Sequence, residues 1–334
     1  MQIPKILNIP EKHILIIGNR SYRNLGDELI LAWTIKLLQE QKKKITITAY
    51  DPQRLKTFLH QLVDVSQITF VTEIPKGIRS RRKYIVQGKW REQKLRKQAD
   101  AIIIGGGEIL TEENKHSYRY RWASLLPCWN KPRYLMGGIQ RPKKFFNRFL
   151  FKQLLKKTKY IFARDMETVH DMETHGFKNV EFFMDTSFFA YKRDSFHRFN
   201  VWSLQHSEKY IVVNLNKNAE KFLNDIIEEV KHRYNKWYEI KYIPIAKGRW
   251  EQYDDLKYAH LIQKKAEIKD QRFTILDREN DFKQCIKTLA GASIVISSRL
   301  HLFLIASFLG LETKVYPYQK KILKMQKTLK ELRT

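Results

Sequence analysis

The chain is 334 residues long and 43% hydrophobic, with 63 Lys plus Arg against 35 Asp plus Glu and a formal net charge of +28. That length suits two domains of about 150 residues each, and the longest apolar run, Leu302 to Leu311, is interrupted by Ser307 and Gly310 and is too short to span a bilayer. Met1 to Asn8 holds no signal-peptide core, and Cys128 and Cys285 form neither a disulfide framework nor a metal-spaced cluster, so a cytoplasmic protein without metal or cofactor is expected.

His13 to Ile17 reads as a short apolar strand that runs into the loop Gly18 to Glu28. A helix from Asp27 to Gln41 puts Leu29, Ile30, Trp33 and Leu37 on one face, and Ile45 to Tyr50 is a second strand, so the chain begins as a βαβ unit. The surplus charge is concentrated next: Lys76 to Lys97 holds ten basic residues and one acid. Ala101 to Ile104 is a buried strand entering Gly105, Gly106 and Gly107. Lys131 to Lys159 holds ten basic residues and no acid. Within it, Arg141 to Lys157 has a helical period, with Phe145, Phe146, Phe149, Leu150 and Leu154 on one stripe and Lys144, Arg148 and Lys152 on another. Such a helix can pack on its own sheet with a solvated basic face, or lie against an anionic membrane.

Tyr160 to Ala163 is the next strand and ends at Arg164. From about Thr186 to Ser207 the pattern loses its period, which predicts a crossing between a first domain of residues 1–190 and a second of residues 191–334. A second alternating series follows: strands at Tyr210 to Leu215 and Glu239 to Ile245, a helix from Tyr253 to Ile268, then strands at Phe273 to Leu276 and Ser293 to Ile296. Ser298 is positioned to cap a very apolar helix that ends at Gly310, and Gln319 to Arg333 reads as a basic terminal helix. The predicted fold class is α/β, with two Rossmann-like domains facing a cleft.

Several of these junctions can carry chemistry. Gly18 and Gly26 lie too far apart for a dinucleotide-binding turn; Asp27 can cap its helix, or Asn24, Gly26 and Asp27 can bond a hydroxylated ligand. The three glycines after a strand let backbone pass close to a ligand or a neighbouring helix. Arg164 can close an ion pair at its strand end or grip a carboxylate or phosphate bidentately. His301, two residues beyond Arg299, falls in the first helical turn, where free N–H groups favour an anion; a histidine satisfied within the core is the plainer alternative. Charge alone also admits nucleic acid, but zinc-finger spacing, a basic region with heptads and an RNP-type strand are all missing, so no specific nucleic acid partner is expected.

In order and spacing, Asn24-Leu25-Gly26-Asp27-Glu28, Ile104-Gly105-Gly106-Gly107, Gly137-Gly138-Ile139, Ala163-Arg164-Asp165, Asp185 and Ser298-Arg299-Leu300-His301 resemble the polysaccharide pyruvyl transferases over roughly residues 14 to 322. The resemblance implies a fold like that of two-domain GT-B glycosyltransferases. It implies phosphoenolpyruvate as co-substrate, and as product a pyruvate ketal on a sugar of a cell-surface polymer, built on a lipid-linked saccharide acceptor at the inner membrane face. It assigns His301 the catalytic position and Arg164 donor binding, with Arg299 in the same anion site. A lysine after the histidine helix matches Lys321, with Lys320 beside it. Gln140 and Thr186 depart from the family pattern, which bears on the acceptor. Two other readings stay open: a GT-B glycosyltransferase using a sugar nucleotide, and a noncatalytic basic protein that binds anionic polymer or membrane.

Overall fold

A computed structural model describes residues 9–18, 23–75, 78–110, 112, 118, 124–164, 166–183, 209–246, 254–269, 271–318, 322–323 and 326. Its contacts divide the chain into one unit of Met1–Ser21 and Asp27–Ala190 and another of Tyr22–Gly26 and Tyr191–Thr334. The basic tail, the Thr186 to Ser207 segment, Asp165, Asp185, Lys320 and Lys321 lie outside the described residues, apart from Ile322, Leu323 and Gln326 of the tail.

In the first unit the described elements are β1 (His13–Ile17), α1 (Leu25–Glu40), β2 (Lys44–Ala49), α2 (Pro52–His60), β3 (Ile68–Thr72), α3 (Ile78–Val86), α4 (Gln93–Lys97), β4 (Ala101–Leu110), β5 (Arg133–Ile139), α5 (Phe145–Leu155), β6 (Thr158–Ala163), α6 (Met166–Thr174) and β7 (Val180–Phe182). The seven strands form one sheet in the order β3-β2-β1-β4-β5-β6-β7, and every pairing is parallel. Both faces of such a sheet are covered, which is why β1 is apolar from Ile14 to Ile17 instead of alternating and why each of its residues, His13 included, is buried. Right-handed crossovers place α3, α4, α5 and α6 on one face. There Leu150 and Leu154 of α5 join Leu15, Ile104, Leu135 and Val169 in a single core.

Two local expectations change. The three glycines belong to β4 and do not follow it: the strand continues to Leu110, with its register against β5 shifting beyond Gly105. In α5 the inward stripe is Asn147, Leu150, Phe151 and Leu154, whereas Phe145, Phe146 and Phe149 are 87%, 50% and 51% exposed. The helix is fastened at both ends. At its start Glu112 accepts from Lys144 N and Asn147 Nδ2, each at 3.0 Å. At its end the fully buried Arg133 donates through Nη1 to Leu154 O (3.0 Å) and Gln153 O (3.3 Å), with its guanidinium 4.3 Å from the centre of the Trp129 ring. Those carbonyls have no partner within the helix, so a buried cation there is well placed.

The second unit contains β8 (Tyr210–Asn214), α7 (Leu223–Asn235), β9 (Glu239–Tyr242), α8 (Leu256–Lys265), β10 (Phe273–Ile275), α9 (Phe282–Ala290), β11 (Ile294–Ser297), α10 (Leu300–Phe308) and β12 (Thr313–Val315). Its five strands run parallel in the order β10-β9-β8-β11-β12. The strand expected to reach Ile245 stops at Tyr242, because the backbone N–H groups of Ile245 and Ala246 turn to a carboxylate, that of Asp255. In each sheet the winding direction reverses once, between β1 and β4 and between β8 and β11. The crevice beyond the carboxyl ends of strands at such a reversal is where parallel α/β sheets bind ligands.

Candidate active site

In the second unit the reversal carries a polar network around the entry to α10. Ser297 and Ser298 are fully buried. Ser297 Oγ lies 3.0 Å from Arg299 N and 3.1 Å from Arg299 O, closing the turn upon itself. Ser298 Oγ does not cap the helix as expected. It accepts from Asn216 N at 3.1 Å and from Asn216 Nδ2 at 3.2 Å, tying the end of β11 to the end of β8. The helix starts one residue later, with Arg299 at the cap position, so His301 is the second helical residue.

Arg299 reaches back to Asp255, donating from Nη2 to Oδ1 at 2.5 Å and from Nε to Oδ2 at 3.3 Å. Burial works against the guanidinium charge, but Asp255 outweighs it and holds the Arg299 pKa above its ordinary value. Asp255 Oδ2 also accepts from Ile245 N and Ala246 N, both at 3.0 Å, and from Asn214 Nδ2 at 3.1 Å. An almost fully buried carboxylate is tolerated only with such a complement of donors. Beneath it the Tyr242 hydroxyl lies 2.9 Å from Asp255 O and 2.8 Å from Leu215 O. Burial, and then the nearby Asp255 charge, raise its pKa well above the usual value, so it stays a neutral donor.

The loop that Asp255 holds binds the Asn24 to Gly26 segment of the same unit. Leu25 N donates to Ile245 O at 2.9 Å, Asn24 forms an antiparallel bridge with Ala246, and Asn24 Oδ1 accepts from Gly26 N at 3.2 Å. Gly26 then stands against the half-buried His301: a Cβ added there would lie 2.0 Å from Nδ1 and 2.1 Å from Cε1 of the imidazole. Only a glycine permits that ring position. Asn24, Gly26, Arg299 and His301 are thus brought together, and Asp255 is the member that sequence reading missed. Its partners come from β8, the loop after β9 and the turn before α10, so no local spacing announces it.

The first unit assembles the other motifs at the carboxyl edge of its own sheet. Asp27 Oδ1 accepts weakly from Gly107 N at 3.4 Å. Gly137, at φ 138°, lies so close to β4 that a Cβ would meet Gly106 O at 2.2 Å, and a Cβ on Gly138 would meet Arg164 Nη2 at 2.9 Å. Gly137 of β5 therefore serves close backbone passage and Gly138 seats the Arg164 guanidinium, while a Cβ on Gly107 of β4 would meet Asp27 Oδ1 at 3.2 Å. Glu28 is spoken for: it is buried and paired with Arg54. Among the described residues no group of three or more His, Cys, Asp or Glu is arranged to hold a metal ion.

Two parallel α/β units of this kind define the class, and solved structures show it to be GT-B-like. A putative UDP-N-acetylglucosamine 2-epimerase from Listeria monocytogenes matches with TM-score 0.56 and 11% identity over 94% of this chain and 82% of that one. The UDP-GlcNAc 2-epimerase of Neisseria meningitidis, bound to UDP-GlcNAc, matches with TM-score 0.57 and 12% identity over 93% and 85%. These likenesses concern the fold. The polysaccharide pyruvyl transferase family model matches residues 24–313, and the chain belongs to that family. No curated protein matches it. Family membership makes the chain a transferase of polysaccharide synthesis.

Proposed function

We propose that the chain moves the pyruvyl group of phosphoenolpyruvate onto two hydroxyls of a sugar in a cell-surface polysaccharide precursor, releasing phosphate and closing a cyclic ketal. The observation that carries this reading is the His301 ring seated against Gly26, two members of the family pattern that the sequence holds 275 residues apart. In this reading His301 delivers a proton to the methylene carbon of the donor. The central carbon becomes oxocarbenium-like, one sugar hydroxyl attacks it and loses its proton, phosphate leaves with its bridging oxygen, and the second hydroxyl attacks in turn. Imidazole suits this exchange because its ordinary pKa of about 6.5 lets it give and take protons near neutrality.

Arg164 is assigned an anionic group of the donor, for which a guanidinium offers paired donors. Arg299, already held by Asp255, shapes the turn that presents His301 and lends its residual positive field to the anion. Lys320 and Lys321 remain candidates for the second anionic group. The acceptor is a saccharide, and a lipid-linked repeat unit fits a polymer assembled at a membrane.

Phosphate release from phosphoenolpyruvate with a lipid-linked saccharide fraction from the source cells tests the reading. His301→Ala is expected to abolish release with the thermal transition retained, and Arg164→Ala to raise the KM for phosphoenolpyruvate. Full turnover by the His301 variant would overturn the assignment. Thermal stabilisation by a UDP- or GDP-sugar, with none by phosphoenolpyruvate, would favour a glycosyltransferase instead.

A further inference from the structure

The feature the transferase reading does not use is the outer surface of α5. Phe145, Phe149 and Lys152 follow one another down the side opposite the buried stripe at helical spacing, with Phe146, Lys144 and Arg148 flanking them, all exposed. Three large aromatic side chains at half exposure or more on a single helix are costly to leave in water. Their basic neighbours belong to the Lys131 to Lys159 stretch, which contains no acid. A second exposed apolar pair, Val86 (79%) and Trp90 (50%), lies in the other basic cluster, and right-handed crossovers put that cluster on the same face of the sheet.

We infer that α5 docks the protein on an anionic phospholipid bilayer, the phenylalanines entering the acyl boundary and the lysines and Arg148 resting among the headgroups. Charge decides among occupants. A second copy would bring two strongly basic helix surfaces together, which repels, and single-stranded nucleic acid is bound in positively charged grooves that track its backbone, whereas this is the convex side of a helix. Among the described residues no helix is long and apolar enough to cross a membrane, so contact through α5 is peripheral.

The test is flotation of the full chain with vesicles of phosphatidylcholine alone or with about 30% phosphatidylglycerol, at about 0.15 M salt. The protein is expected to float with the anionic vesicles and stay behind with the neutral ones. The double substitution Phe145→Ser and Phe149→Ser should cut the bound fraction roughly tenfold or more while leaving its elution from a heparin column unchanged. Because both side chains are exposed, the thermal transition should not move. Lys144→Glu with Lys152→Glu should also abolish flotation. The inference is overturned if the wild type ignores anionic vesicles, if the phenylalanine variant floats as well as the wild type, or if that variant instead splits a dimer or releases bound oligonucleotide with flotation unaltered. Phosphate release in detergent-solubilised acceptor does not depend on the outcome, so this result and the transferase reading stand or fall separately.

Discussion

Gly26→Ala sets activity and stability in opposite directions. The new methyl group would lie 2.0 Å from His301 Nδ1, so the imidazole must withdraw by about 1.4 Å to reach ordinary contact at 3.4 Å. The obstacle is a side chain, which can swing away. Gly26 sits in the first turn of α1 and is not among the residues at positive φ, and alanine is the better helix former by up to about 1 kcal/mol. The variant should therefore melt at the wild-type temperature or slightly above it. A misplacement of about 1 Å at a reacting group costs on the order of a hundredfold in rate, and that loss is expected in kcat for phosphate release. In the His301→Ala background the same substitution should cost nothing further. A Gly26→Ala enzyme within about threefold of wild-type kcat would refute the reasoning, since the ring position would then not govern the reaction.

Two further outcomes can be checked. Asp255→Asn leaves Arg299 without its counter-charge in a site that is nearly closed to solvent, which should remove roughly 3 kcal/mol, or about 6–12 °C of melting temperature; a shift below about 1 °C would mean that the pair contributes no stability. His13 is buried, with Nδ1 3.1 Å from Gln98 O and Nε2 2.9 Å from Thr46 Oγ1, and burial followed by the Lys44 charge lowers its pKa. The unfolded chain thus holds that proton more tightly, so stability should be complete above the ordinary histidine pKa of about 6.5 and decline as pH falls below it. Urea titrations at pH values on either side of about 6.5 should show the decline in the wild type and a shallower one in His13→Gln.

What the sequence made legible follows from how local each signal is. β1 was readable because a strand buried on both faces is an apolar run, here Ile14 to Ile17. The entry to α10 was readable for a similar reason: a strand, two serines and an apolar helix lie in one stretch of chain. The α5 stripe was misread because phenylalanines and leucines occupy both sides of that helix. What turns Asn147 inward is Glu112, a residue on a separate segment. The β4 glycines looked like a loop because what surrounds them is distant in sequence: Gly106 sits at φ 131° with its carbonyl against Gly137 of β5, and Gly107 faces Asp27 Oδ1. Asp255 gave no sign at all, since a helix expected from Tyr253 takes it into the first turn, where an acid is ordinary, whereas the helix starts at Leu256 and the donors to Asp255 are assembled only by folding.

The double fastening of α5 has a mechanical meaning. A helix held by Glu112 at one end and Arg133 at the other has no slack with which to tilt or refold when it meets a surface, so contact would cost little ordering and would be transmitted directly to the sheet. Only the short loop Gln140 to Lys144 separates Phe145 from the end of β5, where Gly138 seats Arg164. A bilayer engaged by Phe145 would therefore set the height and tilt of that sheet edge, and with them the length of the polar head that a membrane-bound saccharide can present to it.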